Sequence, residues 1–303
     1  MKLNPPESWK ITLILAVGIL ATSTAAILVR LAIAEANVSG AGFSLVLATS
    51  RLTLAAIALI PTWAHLYHSK PALSAFRYAT FAGIALAVHF ATWITSLSYT
   101  SIAASTTLVT TNPIWVALLS WWWFWEKPAR LTLAGMTVAL AGGALIGWGG
   151  KASASGSNPL LGDALALTGA WAASLYFLLG REAQRRGLGI GSYATVAYSV
   201  AAIALLPLPS LFGASYTGYT PLTYGYIALM ALLPQLIGHT SLNWSLRWLS
   251  PILVTLSILF EPVASSVLGF LIFNEVPSLM VSVGAGVLLL GVAIATLPAK
   301  QPL

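Results

Sequence analysis

Seven residues in this chain place reactive chemistry inside apolar sequence. Arg51 stands in Ala48-Thr49-Ser50-Arg51-Leu52, and Glu261 stands directly before Pro262, each near the middle of a long apolar run. An ionised side chain at the centre of a membrane span costs about 2.5–3.5 kcal/mol on insertion scales, so such residues face a bundle interior or a wet cavity. The planar guanidinium of Arg51 suits a carboxylate or phosphate, because its fork donates two parallel hydrogen bonds. Glu261 suits an amine or a proton. The same two charges also suit a structural pair locking helices together, and Arg51 alone suits backbone carbonyls at a helix interface. His89 and Trp93 are four residues apart, as are His239 and Asn243, which puts each pair on one helix face. A histidine in a span often serves as a plain helix contact, but its charge change near pH 6.5 also lets it carry a proton. Trp93 can stack on a ring or sit over a cation. Asn112 precedes Pro113 as Glu261 precedes Pro262. The chain has no cysteine, and no local ligand motif joins either histidine to a carboxylate, so no metal and no cofactor is implied.

These residues need elements to hold them. Of 303 residues 58% are hydrophobic and 7% are charged, against about 25% charged in a soluble domain. A water-facing surface cannot be built from that, so the chain reads as an all-α integral membrane protein. Its net charge of +7 comes from positives scattered between apolar runs, with no basic stripe, which excludes nucleic acid as a partner. Runs of roughly 20 apolar residues between turn signals predict ten transmembrane helices: 11–31, 43–61, 76–97, 102–124, 131–148, 160–179, 192–208, 223–244, 250–273 and 278–297. With the N-terminus in the cytoplasm, Lys2, Lys10, Lys70, Arg77, Lys127, Arg130, Arg181, Arg185, Arg186, Arg247 and Lys300 fall on the cytoplasmic side. The positive-inside rule favours that orientation and predicts two cytoplasmic termini in a cell membrane. The aromatic run Trp121-Trp122-Trp123-Phe124-Trp125 reads as an interfacial belt.

The ten spans are two copies of one plan. Pro113 and Pro262, Glu126 and Glu275, Pro128 and Pro277, Gly135 and Gly284, and Gly142 and Gly291 are each 149 positions apart. Acids and prolines are scarce here, so their match at one ungapped register marks an internal repeat. The reading assigns 1–149 to the first five-helix repeat, 150–159 to a linker and 160–303 to the second. Five is odd, so the second copy enters the membrane upside down. Inverted repeats mark transporters, whose solute sites lie between the halves near the bilayer midplane. Proline removes one helical hydrogen bond and clashes a turn back, so Pro113 and Pro262 predict kinks that free carbonyls near Leu108–Val109 and Ser257–Ile258. The glycines of the fifth and tenth spans predict close helix packing, inside the chain or between two copies as a homodimer.

The stretches Thr111-Asn112-Pro113, Glu126-Lys127-Pro128, Glu261-Pro262 and Glu275-Val276-Pro277 resemble the EamA family of the drug/metabolite transporter superfamily. The resemblance covers essentially the whole chain. It implies a ten-helix bundle that moves small organic solutes, often outward, in a family that includes exporters of amino acids. No motif singles out one branch, that of aromatic amino acid exporters included. No GxxxxGK[ST] loop occurs, so no ATPase of that type is built in. The expected function is a secondary transporter or facilitator, with Arg51, His89, Trp93, Asn112, His239, Asn243 and Glu261 as substrate-binding residues. Its partners are a small-molecule solute, a proton if transport is coupled, and the lipid bilayer. An intramembrane enzyme acting on lipid or glycan would show clustered carboxylates or an HExxH or GxSxG motif, and none appears. A passive scaffold does not account for the buried charges.

Overall fold

The computed structural model describes residues 6–69, 71–100, 102–125, 127–151, 158–273 and 278–296, and all its regular structure among them is helical. The first half comprises α1 (Ser8–Ser23), α2 (Ala25–Ala36), α3 (Ala41–Ala58), α4 (Ile60–Ser69), α5 (Leu73–Ser96), α6 (Ile102–Val109), α7 (Asn112–Phe124) and α8 (Arg130–Lys151). The second comprises α9 (Pro159–Arg185), α10 (Ile190–Leu205), α11 (Leu208–Leu211), α12 (Pro221–Met230), a π-helical segment (Ala231–His239), α13 (Thr240–Ser245), α14 (Pro251–Ile258), α15 (Glu261–Phe273) and α16 (Leu279–Thr296). Seven stretches are long and apolar enough to cross a membrane: Ser8–Ala36, Ala41–Ala58, Leu73–Ser96, Pro159–Arg185, Ile190–Leu211, Pro221–Ser245 and Pro251–Ile272. The remaining expected spans are shorter or broken: Arg130–Leu145 and Ser282–Ala295 are shorter apolar helices, and 102–124 divides into α6 and α7.

The breaks have local causes. Between α1 and α2, three consecutive hydroxyls turn back on the backbone: Thr22 and Ser23 donate to the Ile19 carbonyl at 2.9 and 2.7 Å, and Thr24 donates to Ala21 at 2.7 Å. Such bonds compete with the helical ladder. Between α6 and α7, Pro113 supplies no N–H, and the Thr111 hydroxyl takes up the Leu108 carbonyl at 2.7 Å. The same break recurs between α14 and α15 at residues 259–260, 149 positions beyond residues 110–111. There the Phe260 N–H closes a tighter turn on the Ser257 carbonyl at 3.1 Å. Helix ends at one offset extend the repeat beyond the residues that first revealed it. Glu126, Glu275, Val276 and Pro277 lie outside the described residues, as do Lys2, Lys70, Lys300 and most of the expected linker.

The glycines of the two terminal helices face each other within the chain. A Cβ placed on Gly135 would lie 2.6 Å from the Gly291 carbonyl, and one on Gly142 would lie 2.6 Å from the Gly284 carbonyl. Gly135 and Gly284 are counterparts in the repeat, as are Gly142 and Gly291. Each glycine therefore meets the counterpart of the other, and α8 and α16 run antiparallel. Backbones approach this closely only where side chains are absent. Gly286, by contrast, faces open space. Elsewhere α5 packs along α9, and α1 packs against the π segment and α13, while α10 fills the space beside α3 and α5.

Candidate functional site

An internal cavity lies where these helices meet. Arg51 of α3, His89 and Trp93 of α5, Asn112 at the start of α7, His239 at the end of the π segment and Glu261 at the start of α15 all stand on its wall. Six of the seven expected residues thus meet at one place. Both proline breaks deliver a residue to it, Asn112 from one half and Glu261 from the other.

Arg51 is 0% exposed. Its Nε donates to Gln235 Oε1 at 3.0 Å, and its guanidinium lies over the Phe90 ring, 4.1 Å from the centroid. These contacts fix the plane of the fork, while Nη1 and Nη2 have no hydrogen-bond partner among the described residues. Arg51 and Glu261 accordingly make no direct ion pair, although they share the cavity. Glu261 is buried, and one turn further along α15 Ser265 ties that helix to α1 by donating to the Ser23 carbonyl at 3.0 Å.

The histidines come together from opposite halves, with ring centroids 6.3 Å apart. His89 Nδ1 donates to the Gly169 carbonyl of α9 at 2.9 Å, so in the neutral ring Nε2 is left as an acceptor. Its ring lies parallel to Trp93 at 5.9 Å. His239 sits edge-on to Phe90 at 5.2 Å and has an unpartnered Nδ1. Phe90 is the repeat counterpart of His239 and touches both Arg51 and His239. Trp93 Nε1 and Asn112 Oδ1 are also buried without a partner.

Asn243 is the exception. Its amide nitrogen donates to the Tyr176 hydroxyl and, at 2.6 Å, to the His239 carbonyl one turn back. Its nitrogen is spent beside the cavity, at the junction where the π segment returns to α-helix, while Oδ1 is buried with no hydrogen-bond partner among the described residues. Trp171 of α9 points outward and is 46% exposed. Gln235 is the partner of Arg51 that sequence reasoning missed. Pro234 beside it was the available signal, because a proline inside a span disturbs the ladder, and wide π turns cluster at functional sites.

The EamA-like transporter family model matches residues 8–148 and 160–297, nearly the whole chain in two copies. The chain belongs to the EamA-like transporter family. This makes it a multi-pass membrane transporter of the drug/metabolite superfamily. A solved structure titled "Crystal structure of protein" shares its fold at a TM-score of 0.71 and 20% identity, over 98% of this chain and 100% of that one. No curated protein matches the chain. The two family repeats meet at the cavity, so the cavity wall in this EamA protein draws on both.

Proposed function

We infer that this EamA transporter carries small zwitterionic metabolites, amino acids above all, outward or down their gradient through the cavity between its halves. The observation that carries the reading is a set of buried polar atoms on one wall: Nη1 and Nη2 of Arg51, Nε1 of Trp93, Oδ1 of Asn112 and Nδ1 of His239 have no hydrogen-bond partner among the described residues. A buried polar group left unpaired costs about 1–3 kcal/mol, and a solute that pairs several of them recovers that cost. Two parallel guanidinium donors match a carboxylate. The Glu261 carboxylate and the Asn112 carbonyl oxygen match an ammonium. Trp93 and Phe177 offer apolar walls to a side chain. One fixed cation and one acid together favour a solute that carries both charges.

In this reading ten spans form two inverted five-helix units that exchange roles to expose the cavity to alternate sides, in a cell membrane with both termini cytoplasmic. His89 and His239 are the groups through which a proton would couple. Counterflow of labelled amino acid in liposomes is the test. Amino acids should exchange, while the matching amines without a carboxylate should not. Equal exchange of both would remove the zwitterion reading, and chemical change of the solute would remove transport itself. In the same liposomes, flux that ignores an imposed pH gradient assigns the protein to facilitated diffusion.

A further inference from the structure

A second cavity lies on the outside of the bundle, away from the polar site. It lies between α5, α9 and the end of α7. Phe81, Ile84 and Val88 of α5 and Trp171 and Leu175 of α9 make its walls apolar, and Trp123 of α7 stands at its edge. From Leu73 to Val88 the groove follows 15 residues of α5, about 22 Å at 1.5 Å per residue. One leaflet of a roughly 30 Å hydrocarbon core is about 15 Å deep, so the groove spans a leaflet.

Its polar chemistry is confined to one end. Ser74, Arg77 and Tyr78 line it in the opening turns of α5. Arg77 is exposed, and no acidic side chain pairs with it among the described residues. Arg186, just past the end of α9, brings its guanidinium 4.5 Å from the centre of the Tyr78 ring. An apolar channel capped by arginine at one end complements a molecule with a long hydrocarbon chain and an anionic head.

We propose that this groove is a specific site for an anionic phospholipid, with the phosphate at Arg77 and one acyl chain laid along Phe81, Ile84 and Val88. The membrane supplies that ligand on the side to which the groove opens. A basic side chain near an anionic lipid surface is worth about 1 kcal/mol, about fivefold in affinity. The test is lipid retention by the purified full chain, read by native mass spectrometry after exchange into dioleoyl phosphatidylglycerol or dioleoyl phosphatidylcholine. The wild type should retain phosphatidylglycerol about fivefold better. Arg77→Ala should erase the preference and Arg77→Lys should restore it, a rescue that misfolding cannot imitate. Val88→Trp, which fills the inner part of the groove, should lower retention of both lipids. Equal retention by the wild type, or a preference that survives Arg77→Ala, overturns the proposal. So does a dimer that Val88→Trp dissociates without changing lipid retention, because the groove would then seat a second copy.

Discussion

Arg51 carries five N–H donors, and the protein spends one of them on Gln235. That single bond, with the Phe90 ring beneath, turns a flexible side chain into an oriented fork. Arg51→Lys keeps the charge and loses the fork, so solute affinity should fall about tenfold or more, as binding titrations of purified protein would show. Gln235→Ala should raise the half-saturating concentration severalfold with maximal counterflow rate little changed, since it loosens the fork without removing it. An equal fall in both parameters would give Gln235 a direct part in translocation. Glu261→Gln keeps the shape and removes the charge. Transport should drop at least about tenfold, the lower end of what a charge-assisted hydrogen bond contributes, while insertion and thermal stability hold. Normal flux in that variant would take Glu261 out of the mechanism.

The elements explain why some of this was legible in the sequence. Arg51, His89 and Glu261 declare themselves because ionisable residues in apolar runs are costly and need a reason. Gln235 does not, since a neutral amide in a span carries no comparable signal. Asn243 was placed with His239 by helical spacing, and the spacing was sound. The Asn243 amide donates to the carbonyl of His239, one turn back at the end of the π segment. The register of the repeat was also readable, down to helix breaks at 110–111 and 259–260, because proline acts on the ladder locally. The outward groove was not readable, because nothing in an apolar stripe says whether a neighbour fills it. The α8–α16 crossing makes the prediction that belongs to this scale. A Cβ on Gly142 would lie 2.3 Å from the Leu288 backbone nitrogen. Gly142→Val should therefore cost about 1–3 kcal/mol or more, lowering the thermal midpoint in detergent. Gly286→Ala, facing open space, should leave it unchanged.

Across the whole molecule, two family repeats and scarce charges define a membrane transporter with a cavity lined from both halves. In the proposed orientation, which rests on the positive residues of the loops, both ends of the chain are cytoplasmic. A fluorescent reporter that matures only there, fused after Leu303, should be bright. A dark reporter with a normally inserted protein would reverse the orientation and, with it, the direction assigned to each face of the cavity.

The antiparallel glycine crossing has an energetic corollary. Exchange the two halves and the contact of Gly135 with Gly291 becomes that of Gly284 with Gly142, so the crossing maps onto itself. If the protein alternates by swapping the conformations of its halves, this joint costs the same in both states and favours neither. Any resting preference must then come from positions where the counterparts differ. Asn112 against Glu261, and Phe90 against His239, are such positions, and both lie on or beside the cavity wall. A solute shifts a two-state balance only through unequal affinity for the two states. If the solute binds that wall as proposed, the same few side chains set both the unloaded balance and the bias that loading adds.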